Sequence, residues 1–262
     1  MEKNLSRTSD SIFFKEVFRY DLSELPFKLK DSCNDLGIPI VSVEESSSYP
    51  IVIFASEHNH YKTEPYDIKE ILLQKLKNGK KTIVGFEFLS DFEDVLNDPA
   101  KNLTDNKLNN ILSFMEFRKT IRGLIEVFNE IQQKYSIDRF EIKPFDVTYA
   151  EEIEFQFVLV AQALSLAMQA KTLEEHNPLV EILKNRNAPI INNLLNPLVE
   201  ILKNRNALIV NNLLDLLRTY EDNNNLVVYT GAAHVIGLLT KLKEIIKSEN
   251  KDRIAVVLSR EG

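Results

Sequence analysis

Two stretches of this sequence carry residues whose types and spacing could do chemistry. They are IVIFASEHNHYKTEP (51–65), with Glu57, His58 and His60, and LVVYTGAAHVIGLL (226–239), with His234. Each is an apolar run followed by small residues and a histidine, and half of the chain's 4 histidines fall in the first. An imidazole can accept a proton or ligate a metal near neutral pH, and a carboxylate beside it orients it or balances its charge. Glu87, inside IVGFEFL, is the strongest candidate carboxylate, because burying it in an apolar run is costly unless it faces a partner or a cleft. Asp146, closing RFEIKPFD, is a second; it reads equally well as the cap of a helix starting near Thr148 or Tyr149. Gly231, Ala232 and Ala233 let the backbone approach a ligand closely, and N–H groups at the start of the following helix could bind an anion or a developing oxyanion. His60 reads as solvent-facing or as support for His58, and His176 as an ordinary surface residue.

These residues can act together only if the elements carrying them bring their ends to one place. PIVIFAS (50–56), KTIVGFEF (81–88), RFEIKPFD (139–146), NLVVYTG (225–231) and RIAVVLS (253–259) are short and rich in β-branched residues, and read as strands. Between them, PYDIKEILLQKLKNGK (65–80) sets Ile68, Ile71, Leu72 and Leu76 at helical spacing and stops at Gly79. AHVIGLLTKLKEIIKSEN (233–250) does the same with Leu238, Leu239, Leu242, Ile245 and Ile246. The alternation predicts an α/β fold with a mostly parallel central sheet flanked by helices. Ligands bind such sheets at the carboxyl ends of the strands. Glu57 and His58 follow the first strand, Glu87 ends the second, Asp146 ends the third, and Gly231 to His234 leave the fourth, so all face one cleft if the sheet is parallel.

The middle of the chain differs. From Thr104 to Tyr220 it reads as helix apart from the strand at 139–146, and we expect a large helical insertion or cap within a single domain spanning 1–262. Inside it, NPLVEILKNRNAPIINNLL (177–195) is followed at once by NPLVEILKNRNALIVNNLL (196–214), a tandem duplication of 19 residues. Asn177 and Asn196 are suited to N-cap helices, with Pro178 and Pro197 in the first turn. Two copies fall short of a solenoid; they read as surface helices that could contact a protein partner, or as a tolerated duplication.

Composition narrows the function classes. A 262-residue chain with 44% hydrophobic and 27% charged residues can bury a sizeable core, and a formal net charge of −7 disfavours nucleic acid or anionic membrane as partners. The single cysteine, Cys33, excludes an internal disulfide and a cysteine-rich zinc site, and reads as a half-buried structural residue near a helix end. MEKNLSRTSD has no apolar signal-peptide core and no apolar run is long enough to span a bilayer, so a cytoplasmic protein is expected, with delivery outside the cell by a route lacking a cleaved signal left open.

Taken together, these motifs resemble the TraB/TIKI superfamily, which includes ChaN-like haem-uptake proteins and erythromycin-esterase-like hydrolases. Its pattern is a strand followed by Gly-x-x-His, a strand ending in Glu, and a late strand followed by a second Gly-x-x-His. GAAH (231–234) and Glu87 in GFEF match; ASEH (55–58) has alanine in place of glycine, and the Glu of members with Gly-Glu-x-His falls at Ser56, one position before Glu57. The resemblance covers roughly 50–95 and 222–262 and implies a site of His58, Glu87 and His234. One version holds a divalent ion, zinc or manganese, on those three residues; another is metal-free, with His58 as base, Glu87 positioning it or the water, and the N–H groups after Gly231 receiving the oxyanion. Both would cleave an ester or amide in a small-molecule or peptide substrate. A non-catalytic effector module with a degenerate site is the alternative, and haem binding a third.

Overall fold

The computed structural model describes residues 24–57, 62–98, 118–154, 200, 203–219, 223–245 and 252–259. Its strands are Ile51–Ser56 (β1), Thr82–Leu89 (β2), Phe140–Asp146 (β3), Asn225–Gly231 (β4) and Ile254–Leu258 (β5), each bounded within one residue of the sequence expectation. They form one sheet in the order β3-β2-β4-β1-β5, and every pair is parallel. A parallel sheet is covered on both faces, which is why β1 and β4 are buried along their whole length and read as continuous apolar runs.

Helices Leu25–Leu36 (α1), Glu64–Lys77 (α2), Glu93–Asn97 (α3), Arg118–Gln132 (α4) and Ala232–Ile245 (α5) complete the named elements. Strand alternation assigns the faces. Val52, Phe54, Val84, Phe86, Phe88, Val227 and Tyr229 form one apolar cluster with Ile68, Ile71 and Leu72 of α2 and Leu124 and Phe128 of α4. The intervening residues Ile53, Ala55, Leu226 and Val228 are buried on the other face, where α1 packs against α5. On that face the helical residues 207–218 lie over β2: a Cβ built on Gly85 would stand 2.4 Å from Leu216 Cδ2. β1 and β4 are neighbours whose following helices, α2 and α5, leave on opposite faces, so the sheet reverses its winding between them. Such a switch point opens a crevice at the strand ends.

The local devices are legible. Pro26 starts α1, and Gly37 ends it at φ +68°, with its N–H on Asn34 O and that of Ile38 on Cys33 O, both at 3.0 Å. Cys33 is fully buried and not half-buried; burial pushes its thiol up to about 11, which makes it a core residue without nucleophilic character. α2 carries Glu64 and Asp67 in its first turn and Lys75 and Lys77 in its last, and Gly79 follows at φ +84°. Lys75 is 1% exposed, and its ammonium donates to the carbonyls of Ser46 (2.7 Å), Ser47 (3.1 Å) and Tyr49. Burial lowers this amine to about 8. Both sheet edges are protected: β3 contains Pro144, and Val256 of β5 exchanges backbone bonds with Pro39 and Val41.

The chain divides into two compact units, Met1–Leu22 with Ala150–Asn206, and Ser23–Tyr149 with Ala207–Gly262. All five strands belong to the second, and so does α4, which lies within the 104–220 span read as an insertion. In the first, Arg205 pairs with Glu152 at 3.2 Å. The helix expected from Thr104 is described from Arg118 onward, and of the duplication only 200 and 203–214 are described. Among the described residues no helix is long and apolar enough to cross a membrane.

Candidate functional site

Glu87 stands where the sheet pairing gives out. The β2–β4 ladder ends at Phe86 opposite Tyr229, and the β2–β3 register shifts between Phe86 and Leu89. Irregularities of this kind aim a side chain that a regular strand would leave in the ladder. Phe86 and Phe88 face α2 and α4, so Glu87 points to the opposite face, toward the start of α5. There Glu87 Oε2 accepts the Thr230 hydroxyl and the Gly231 N–H, both at 2.6 Å. Its other oxygen, Oε1, lies 3.5 Å from His234 Nε2, with the two side chains 4% and 15% exposed. His234 is the third residue of α5, so these three partners of Glu87 come from β4 and the first turn of its helix.

The structure therefore brings together Glu87, Gly231 and His234, three residues singled out in the sequence. The Gly231 N–H is taken by Glu87, which ties the end of β4 to β2; Ala232, the next residue, is buried at the start of α5. Glu57 is exposed, with its N–H 3.4 Å from Ser259 Oγ. Asp146 is buried and accepts the N–H of Val147 at 2.7 Å. The Tyr149 N–H goes to the Asp91 carboxylate at 3.1 and 3.2 Å; Asp91 is close enough because the β2 and β3 ends are adjacent. His58, His60 and His176 lie outside the described residues.

A second polar cluster occupies the other face at the same level. Ser56 ends β1, Glu64 opens α2 and Tyr229 lies on β4. Glu64, with no exposed surface, accepts the Tyr229 hydroxyl at 2.7 Å and the Ser56 hydroxyl at 2.8 and 2.9 Å, and Ser56 and Tyr229 are 2.9 Å apart. Burial, reinforced by the charge of Glu64, pushes the Tyr229 phenol well above its ordinary range, so it stays a donor. Sequence reasoning missed this cluster, as it missed Thr230. Alternation along LVVYTG was the available signal, since it sends Tyr229 and Thr230 to opposite faces at a strand end.

Among the described residues no group of three or more histidine, cysteine or carboxylate side chains could hold a metal ion. Glu87 Oε1 and His234 Nε2 are donor types suited to zinc or manganese, and they face each other. A recess of about 260 Å³ lined by Tyr66, Lys69, Glu70, Leu73, Gln74 and Lys77 lies along α2 and includes neither of them.

Compared with family models, with curated proteins and with solved structures, the chain shows no match.

Proposed function

We propose that this protein is hydrolase-like, cleaving an ester or amide bond with His234 as the base and Glu87 as the group that holds it. The observation that carries the proposal is the buried Glu87 carboxylate at the carboxyl end of β2, fixed by two donors of β4 on one oxygen and presenting the other to His234. A carboxylate in that place favours the imidazole tautomer with hydrogen on Nε2 and leaves Nδ1 to accept. Nδ1 would take a proton from water as the water oxygen attacks the carbonyl carbon. It would return that proton to the departing alcohol or amine as the C–O or C–N bond breaks. If a zinc or manganese ion is bound, Glu87 and His234 would be two of its ligands and His58 the third expected from the sequence; the ion would supply a more acidic water. The resemblance to the TraB/TIKI superfamily in GAAH and Glu87 supports the same chemistry.

The test is turnover of a panel of aryl esters and peptide amides by the whole chain, beside His234→Gln and Glu87→Gln. A hundredfold or greater loss in His234→Gln, with an unchanged melting temperature, is expected for a general base; full turnover in that variant would remove His234 from the reaction. The alanine in place of glycine in ASEH (55–58), together with the 19-residue duplication, favours a second reading, a non-catalytic effector module that keeps the fold and binds a protein partner through the duplicated segment. Deleting one 19-residue copy would then abolish partner binding, while the Glu87–His234 pair stays intact.

A further inference from the structure

We infer that Ser56, Glu64 and Tyr229 are a positioning triad that acts on the Glu87–His234 pair from the opposite face of the sheet, through the end of β4. The inference rests on reading that pair as the site. Two paths join the clusters, one across the strand ladder and one along the chain. Ser56 is the register partner of Gly231 on the β1–β4 ladder, and the Gly231 N–H is on Glu87. Tyr229 is bonded in sequence to Thr230, whose hydroxyl is the other donor to the same Glu87 oxygen. A displacement of Ser56 or Tyr229 must therefore move both donors that set where Glu87 points. The clusters also sense each other electrostatically, since the charge of Glu87 contributes to raising the Tyr229 phenol.

The triad is costly as mere packing. Tyr229 lies against Phe54 (5.9 Å between ring centroids) and Phe86 (6.1 Å) within the apolar cluster, and Glu64 is buried beside it. A buried carboxylate there is penalised by desolvation, and an apolar residue of similar volume would fill the space without that cost. Its three contacts, all at or below 2.9 Å, tie the last residue of β1 and the first of α2 to β4, next to the strand-end donors. A hydrogen-bonded network fixes position more narrowly than apolar packing does.

The experiment needs no substrate. In the whole chain, the Gly231 amide and the His234 ring are followed by NMR, with His234 assigned by its loss in His234→Gln. Thr230→Val, which removes a donor to Glu87 directly, sets the reference displacement. Ser56→Ala and Tyr229→Phe are expected to move the His234 ring signals toward those of Thr230→Val and to speed exchange of the Gly231 amide about tenfold. Amides at the start of β1, Ile51 and Val52, should keep their exchange rates. Ser56→Thr, which restores the hydroxyl, should restore both signals. Glu64→Gln keeps an acceptor and serves if the other variants fold poorly. Unmoved Gly231 and His234 signals, or equal loosening at Ile51 and Val52, would overturn the triad. Where an ester or amide is turned over, the triad variants should lower kcat with KM unchanged. Where none is, the hydrolase reading fails, yet the amide and ring signals still decide the positioning role.

Discussion

Thr230→Val tests whether Glu87 is held as an ionised carboxylate. The substitution replaces a hydroxyl by a methyl of nearly the same shape, so it opens no cavity and suits a strand. What it removes is a 2.6 Å hydrogen bond to a carboxylate that is 4% exposed. Bonds to charged groups contribute about 1.5–3 kcal/mol, so a loss of about 2 kcal/mol is expected. The His234 contact, longer at 3.5 Å and from a partly exposed ring, contributes less, up to about 1 kcal/mol. For a chain of this size, 2 kcal/mol lowers the melting temperature by about 4–8 °C. In a Glu87→Gln background the amide oxygen still accepts from Thr230 and Gly231, but as a neutral acceptor worth about 1 kcal/mol. Thr230→Val should then cost only about half as much, a coupling of about 1 kcal/mol in a double-mutant cycle read by urea denaturation. Equal losses in both backgrounds, or a loss in the parent below about 0.5 kcal/mol, would refute the reasoning.

Other outcomes follow from the same structure. Lys75 has a folded-state value of about 8 against 10.5 unfolded: below pH 8 both states carry the proton and the burial cost is present in full. Between these values the unfolded chain keeps a proton that the folded chain has released, so stability rises with pH, by about 2 kcal/mol from pH 7.5 to 9.5. Urea denaturation at those two pH values should show the rise in the parent and not in Lys75→Met; a parent without it contradicts the account. Tyr229 acts in the opposite sense above pH 10, where the unfolded chain ionises first, so the comparison stops short of that range. Gly85→Ala, which sets a Cβ 2.4 Å from Leu216 Cδ2, should cost about 1–3 kcal/mol, and less when Leu216→Ala is added; additivity in thermal melts would count against that contact. Cys33 should be silent to a disulfide reagent at pH 8 and react as soon as the chain is unfolded in urea; rapid labelling of the native protein would contradict its burial.

The strands were legible because a parallel sheet buried on both faces writes itself as unbroken β-branched runs, and KTIVGFEF or NLVVYTG has no competing periodicity. Glu87 and His234 were legible for a related reason: a polar residue at the end of such a run has little to do except face a partner. Strand order was not, because β1 and β4 carry no local mark of being neighbours. Ser56, Glu64 and Tyr229 were hidden by the same non-local pairing, since a serine after an apolar run, a glutamate at a helix start and a tyrosine in a strand each have an ordinary local reading. Asp91 illustrates the same limit. A carboxylate just after a strand looks ordinary, and only the adjacency of the β2 and β3 ends brings it to the Tyr149 N–H.

The strand order has a consequence during synthesis. β4 is the middle strand, flanked by β2 and β1, yet it comes near the C-terminal end of the sequence. Ser56 and Tyr229 are 173 positions apart, so at ordinary elongation rates β1 waits on the order of ten to thirty-five seconds for the neighbour that covers it. Through that interval a nascent chain displays the apolar edges of β1 and β2 with no interior strand between them. The central sheet therefore cannot close until β4 is made, and the exposed edges are where intermolecular pairing would begin.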